Sequence, residues 1–123
     1  MVSHVDLPPT LLDLAGASWS DLDGRSLVPV FSAGSKKPAG WRDEIFVEDL
    51  GRGWHMLRTP KWAYIEWDDR EKELYDMAID GDPYQLQSLH ADPAKADLIA
   101  GLSARLNTFK SCSGSSCRTA ESV

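Results

Sequence analysis

What this sequence has little of narrows its function first. Its 123 residues hold two cysteines and three histidines. No apolar run nears the ~18 residues that a membrane-spanning helix needs, so no membrane span is expected. Acidic residues outnumber basic ones, 19 to 13, and the basic ones form no stripe. The net charge of −6 argues against nucleic acid as a partner, because phosphate recognition needs a basic surface. Lys36-Lys37 comes nearest to one and reads as a solvated loop tip. The opening residues, Met1 to Asp6, have neither a basic region nor an apolar one, so no signal peptide is expected there.

Constellations that carry chemistry are missing too. His4, His55 and His90 are scattered and lack spacing of the HExxH kind. His4 with Asp6 reads as structural, beside a helix cap. Asp76, Asp80 and Asp82, with Gly81, fall outside the calcium-loop register and read as a solvated loop. Ser113, Ser115 and Ser116 have no neighbouring His and no GxSxG elbow. Cys112 and Cys117 have no second pair with which to hold zinc. No catalytic residue, no metal ligand and no cofactor is expected in this chain. The cysteine spacing lets the backbone fold back, and Gly114 eases the turn. A Cys112–Cys117 disulfide is the expectation, with two free thiols in a frayed tail as the alternative. The chain-entropy account assigns so short a loop about 2 kcal/mol. A disulfide implies an oxidising compartment, and its pairing with no export signal suggests that the front of a longer protein is absent.

What is present suits a folded chain: 42 % apolar and 26 % charged residues, enough for one domain that buries roughly two thirds of its unfolded surface. Leu7 to Ala15 reads as a short helix, with Asp6 as its cap, Pro8 and Pro9 in the first turn and Gly16 ending it. Its Leu7, Leu11 and Leu14 form a stripe that little before Trp41 could cover. Residues 16 to 43 read as a long loop, in which Pro29 demotes Leu27 to Phe31 to an edge or an extended segment.

Short strands follow at about 44–50, 54–58, 62–67 and 73–76. Tight turns at Gly51-Arg52-Gly53, Thr59-Pro60-Lys61 and the charged tip 68–72 join them, and these short connections predict a β-meander. Asp80 to Leu89 reads as a loop with one helical turn after Pro83. The last helix, about 93–110, opens on Asp92 and Pro93 and carries the stripe Leu98, Leu102, Leu106 and Phe109. The fold class is therefore α+β: a short N-terminal helix, a long loop and a four-stranded antiparallel meander packed on a C-terminal helix. On the third strand Trp62, Tyr64 and Glu66 alternate with Ala63, Ile65 and Trp67, so large rings occupy both faces. The last helix can cover one. If Leu7, Leu11 and the Trp62/Tyr64 face lack cover, the chain self-associates through an exposed apolar patch.

The order of motifs resembles the C-terminal portion of the sulfatase family, within the alkaline-phosphatase superfamily. The strings are Val2 to Gly16, Asp23 to Leu27, Trp41-Arg42, Phe46 to Glu48, Met56 to Ile65, Glu73 to Met77, Asp82 to Leu86, and Cys112 to Arg118. Ala63 departs from the Trp-Lys-Tyr-Ile string frequent in the family. The resemblance implies that residues 1–40 are the tail end of the catalytic domain and 41–112 the C-terminal subdomain, with 113–123 a flexible tail. It also implies a sulfuric ester hydrolase that uses formylglycine and Ca²⁺, both placed upstream of this chain. Neither Cys112 nor Cys117 sits in the Cys-x-Pro-x-Arg motif that yields formylglycine.

The expected function is thus a C-terminal sulfatase fragment, inactive alone, that supports a catalytic domain as its partner. Trp54 and His55 are the expected residues on the rim of the substrate pocket. The alternative is an autonomous interaction module that pairs with a separately encoded catalytic half or another protein. The disulfide suggests that the parent family member is extracytoplasmic.

Overall fold

Tight turns bring the strands together. At Thr59-Pro60-Lys61, the Thr59 N–H donates to the Trp62 carbonyl at 2.8 Å, and the Trp62 N–H donates to Thr59 Oγ1 at 2.8 Å. Pro60 meanwhile has no N–H to lose. Gly53 takes φ +70°, where a side chain would also meet the Asp68 carboxylate. The computed structural model of the chain describes residues 1–34, 36–78 and 80–121. It divides into two compact units: Met1–Asp43 with Cys112–Val123, and Glu44–Ser111.

The second unit is the meander. Strands β1 (Ile45–Asp49), β2 (Trp54–Arg58), β3 (Trp62–Trp67) and β4 (Lys72–Asp76) form an antiparallel sheet in sequence order. The register sets Phe46 opposite Leu57, Leu57 opposite Tyr64, and Tyr64 opposite Leu74. That row lies on one face, and Leu57, Tyr64 and Leu74 are wholly buried. A 3₁₀ turn (Pro93–Lys95) leads into the long helix Ala96–Lys110. Asp92 opens it as expected, its side chain accepting from the Ala94 N–H at 2.9 Å. The helix packs on β2 and β3 and buries Leu102, Leu106 and Phe109. Its Ser103 and Lys110 reach Glu66, on the same face as Tyr64. The Trp62/Tyr64 face is therefore the one that the last helix covers, so the condition set for self-association is not met on the sheet. After Pro83 the chain makes a turn, with the Gln85 N–H on the Asp82 carbonyl at 3.0 Å, and no helix.

The first unit holds helix α1 (Leu7–Leu14), a short helix α2 (Val28–Ser32) and a further short helix (Ser115–Ala120), which carries Cys117 of the Cys112–Cys117 disulfide. In chain order the long helix is α3 and this last one α4. Two expectations are corrected here. The run Leu27 to Phe31 is helical because Pro29 falls in the first turn, where its missing N–H costs no bond. The tail expected to be flexible carries α4. A third correction concerns Asp6, which starts α1 without a side-chain cap bond. A capping carboxylate binds the N–H groups of the second and third helical residues. Those are Pro8 and Pro9, which have none. Along α1, Leu7, Leu11 and Leu14 are 49 %, 67 % and 66 % exposed, so the stripe has no cover among the described residues.

Candidate functional site

Pleating decides what the two predicted rim residues can do. Trp54 and His55 are neighbours on β2, so their side chains leave opposite faces of the sheet. The structure does not bring them together. Trp54 stands opposite Asp49 on β1 and Trp67 on β3. His55 lies on the α3 side, stacked on Phe46 with ring centroids 6.1 Å apart, its Nε2 3.5 Å from Glu48 Oε2. Phe46 stacks in turn on Phe109 at 6.0 Å, and the Arg105 guanidinium lies over Phe109 at 4.9 Å. Arg105 also pairs with Glu44. The arrangement is a column of rings with the Arg105–Glu44 ion pair at one end and the His55–Glu48 contact at the other.

A second cluster sits beside the first on the same face, where Glu66 on β3 stands opposite His55 on β2. Glu66 accepts from Tyr64 Oη at 2.8 Å, Ser103 Oγ at 2.6 Å and Lys110 Nζ at 2.7 Å. Burial alone would raise its pKa, but the Lys110 charge and the two hydroxyls outweigh it and hold the carboxyl down at about 2. Burial and the bond to Glu66 together push the Tyr64 phenol well above its usual value. Glu66 is thus a fixed anion and Tyr64 a fixed donor. Neither is poised to exchange protons near neutrality.

The first unit contains the most buried charges. Arg42 and Asp6 are paired with no side-chain exposure at all. The Asp6 carboxylate also accepts the Ser3 N–H at 2.8 Å and the Arg25 N–H at 3.0 Å. Arg42 Nη1 donates to Glu121 Oε1 at 2.6 Å, and Arg25 Nε lies 3.1 Å from Glu121 Oε2. Thr10 Oγ1 donates to the Asp6 carbonyl at 2.6 Å and accepts the Leu27 N–H at 2.8 Å. Burial disfavours the Arg42 charge, yet the two carboxylates override it and leave the guanidinium more firmly protonated than usual. Sequence reading had set Asp6 down as a cap and passed over Arg25, Arg42 and Glu121.

The remaining candidates do not converge. His4 is exposed, and His90 Nδ1 lies 3.1 Å from Ser88 Oγ. Asp76 and Asp82 accept backbone N–H groups of their own loop, from Ala78 at 3.1 Å and Gln87 at 2.6 Å. Among the described residues no three of His, Cys, Asp or Glu gather as a cation would require. No described helix is long and apolar enough to cross a membrane. Cys112 and Cys117 are joined in a disulfide, so neither offers the thiol from which formylglycine is made. The residues present do not fit either of that chemistry's groups.

Comparison with known proteins gives a consistent result. Residues 1–111 match the family described as N-sulphoglucosamine sulphohydrolase, C-terminal. The chain is 28 % identical to N-acetylglucosamine-6-sulfatase of Bos taurus, over 97 % of its own length and 27 % of that relative's. Among solved structures it is similar to a protein held in complex with its substrate D-glucosamine-2-N,6-O-disulfate. That match has a TM-score of 0.73 and 30 % identity, covering 85 % of this chain and 23 % of the other. It is also similar to the phosphonate monoester hydrolase of Agrobacterium radiobacter, with a TM-score of 0.68 and 27 % identity, over 85 % of this chain and 24 % of the other. The chain therefore spans about a quarter of the length of the relatives it matches.

Proposed function

Since the chain belongs to the N-sulphoglucosamine sulphohydrolase C-terminal family of sulfatases, we propose that it is the C-terminal part of a sulfuric ester hydrolase and contributes support rather than catalytic groups. The observation that carries this reading is the uncovered leucine stripe of α1, in a chain that matches a sulfatase over 27 % of that relative's length. An amphipathic helix with nothing on its apolar side is half of an interface. In this reading residues 1–40 belong with the catalytic body and 41–112 form the C-terminal subdomain. Catalysis by formylglycine and Ca²⁺ belongs to the part of the relatives that this chain does not match. Trp54, on the sheet face away from α3, and His55, held by Glu48, are the residues assigned to the pocket rim. The disulfide favours an extracytoplasmic setting.

The test is a direct assay. The purified chain is expected to leave an aryl sulfate ester intact, with or without added Ca²⁺. Turnover that a Ca²⁺ chelator abolishes would overturn the supporting role.

A further inference from the structure

Among the described residues of the first unit, Arg42 meets the Asp6 and Glu121 carboxylates, and Arg25 also reaches Glu121. Asp6 lies near the start of the chain and is held by its own turn. Glu121 arrives from the other end, as the residue that closes α4. Six residues of helix do not hold together unaided, because nucleation costs more than so few bonds return. The position of α4 therefore depends on what ties it down. The Cys112–Cys117 disulfide closes the chain around its first turn. Within that loop the Gly114 N–H donates to the Asp23 carboxylate. Gly114 has φ +55°, and a Cβ there would lie 1.9 Å from Asp21 Oδ1, so the loop fits only one backbone course. Further along, the Arg118 carbonyl accepts from Arg25.

We propose that the Cys112–Cys117 disulfide is a redox-sensitive latch: its reduction frees α4, withdraws Glu121 and unlocks the buried Asp6–Arg42 pair around which the first unit is ordered. The reductant is a dithiol. Its two sulfurs give up two electrons and two protons and close to a disulfide, while the Cys112–Cys117 bond breaks into two thiols. With Glu121 gone, the buried Arg42 guanidinium loses one of its two carboxylate partners, a loss that destabilises a charge held away from water. The backbone N–H groups of Ser3 and Arg25, both bound to Asp6, are the reporters of that opening.

Amide hydrogen exchange on the full chain tests this, oxidised and then treated with dithiothreitol, with reduction verified by mass. The expected result is exchange at least ten-fold faster at Ser3 and Arg25 after reduction, with the amides of β2 and β3 unchanged. The Cys112→Ser/Cys117→Ser variant should show the faster exchange without reductant and no response to it. Glu121→Gln should loosen the same two amides with the disulfide intact. Unchanged exchange at Ser3 and Arg25 in verified reduced protein would overturn the latch. So would equal acceleration across the sheet, which would mean general unfolding.

Discussion

Glu66 carries a pH dependence that falls in the acid range. Its carboxyl has an ordinary value near 4.5 and is held at about 2 in the folded chain. A depressed carboxylate contributes stability that is complete above the unfolded value and is lost as pH falls toward the folded one. The window is therefore pH 4.5 down to about 2, and the contribution is of order 3 kcal/mol at most. Urea unfolding followed from pH 7 to pH 3 should show a steep loss in the native chain and a shallower one in Glu66→Gln. Parallel curves for the two would refute the assignment. The Asp6–Arg42 pair sets a second residue-level expectation. Removing one partner strands a charge away from water, so Asp6→Asn should cost about 3 to 5 kcal/mol. Arg42→Met added to it should recover part of that loss, which a double-mutant cycle in urea would read. Neither cluster was legible in the sequence, for a physical reason. Glu66 meets Lys110 across 44 residues and Arg42 meets Glu121 across 79, and no local period encodes such pairings.

Elements were legible where periodicity and turn chemistry agreed. The alternation in Trp62 to Trp67 and the turn at Pro60 located β2 and β3, and Asp92-Pro93 with the leucine stripe located α3. The errors arose at single residues that have two uses. Pro29 forbids a central strand but is welcome in the first helical turn, and the short Val28–Ser32 helix uses the second property. Helix α4 has a serine-rich sequence of poor helix formers, so its existence rests on the disulfide and on contacts from distant residues. Substitutions should divide along the same line. Leu106→Ala, wholly buried on the sheet-facing side of α3, should cost about 2 to 5 kcal/mol. Leu11→Ala, on the bare side of α1, should change stability by no more than about 0.5 kcal/mol. Thermal unfolding of the two variants gives the comparison, and similar losses in both would mean that α1 is packed after all.

The whole molecule is described best by what it leaves uncovered. An isolated exposed leucine is ordinary, but Leu7, Leu11 and Leu14 repeat on one side of a single helix. Sequence reading recognised that stripe and found nothing nearby to cover it. On the sheet it expected the last helix to cover one face without saying which, and the Trp62/Tyr64 face lies under α3. The missing cover therefore concerns α1. On the proposed supporting role, the bare stripe should reveal itself in solution. The chain is expected to bind a hydrophobic dye and to sediment as a mixture of monomer and larger species whose proportions follow concentration. Leu11→Glu with Leu14→Glu should suppress both effects while leaving the far-UV spectrum intact, because neither side chain contributes to a core. A monodisperse monomer without dye binding would contradict the interface reading of α1, and with it the observation on which the proposed supporting role rests.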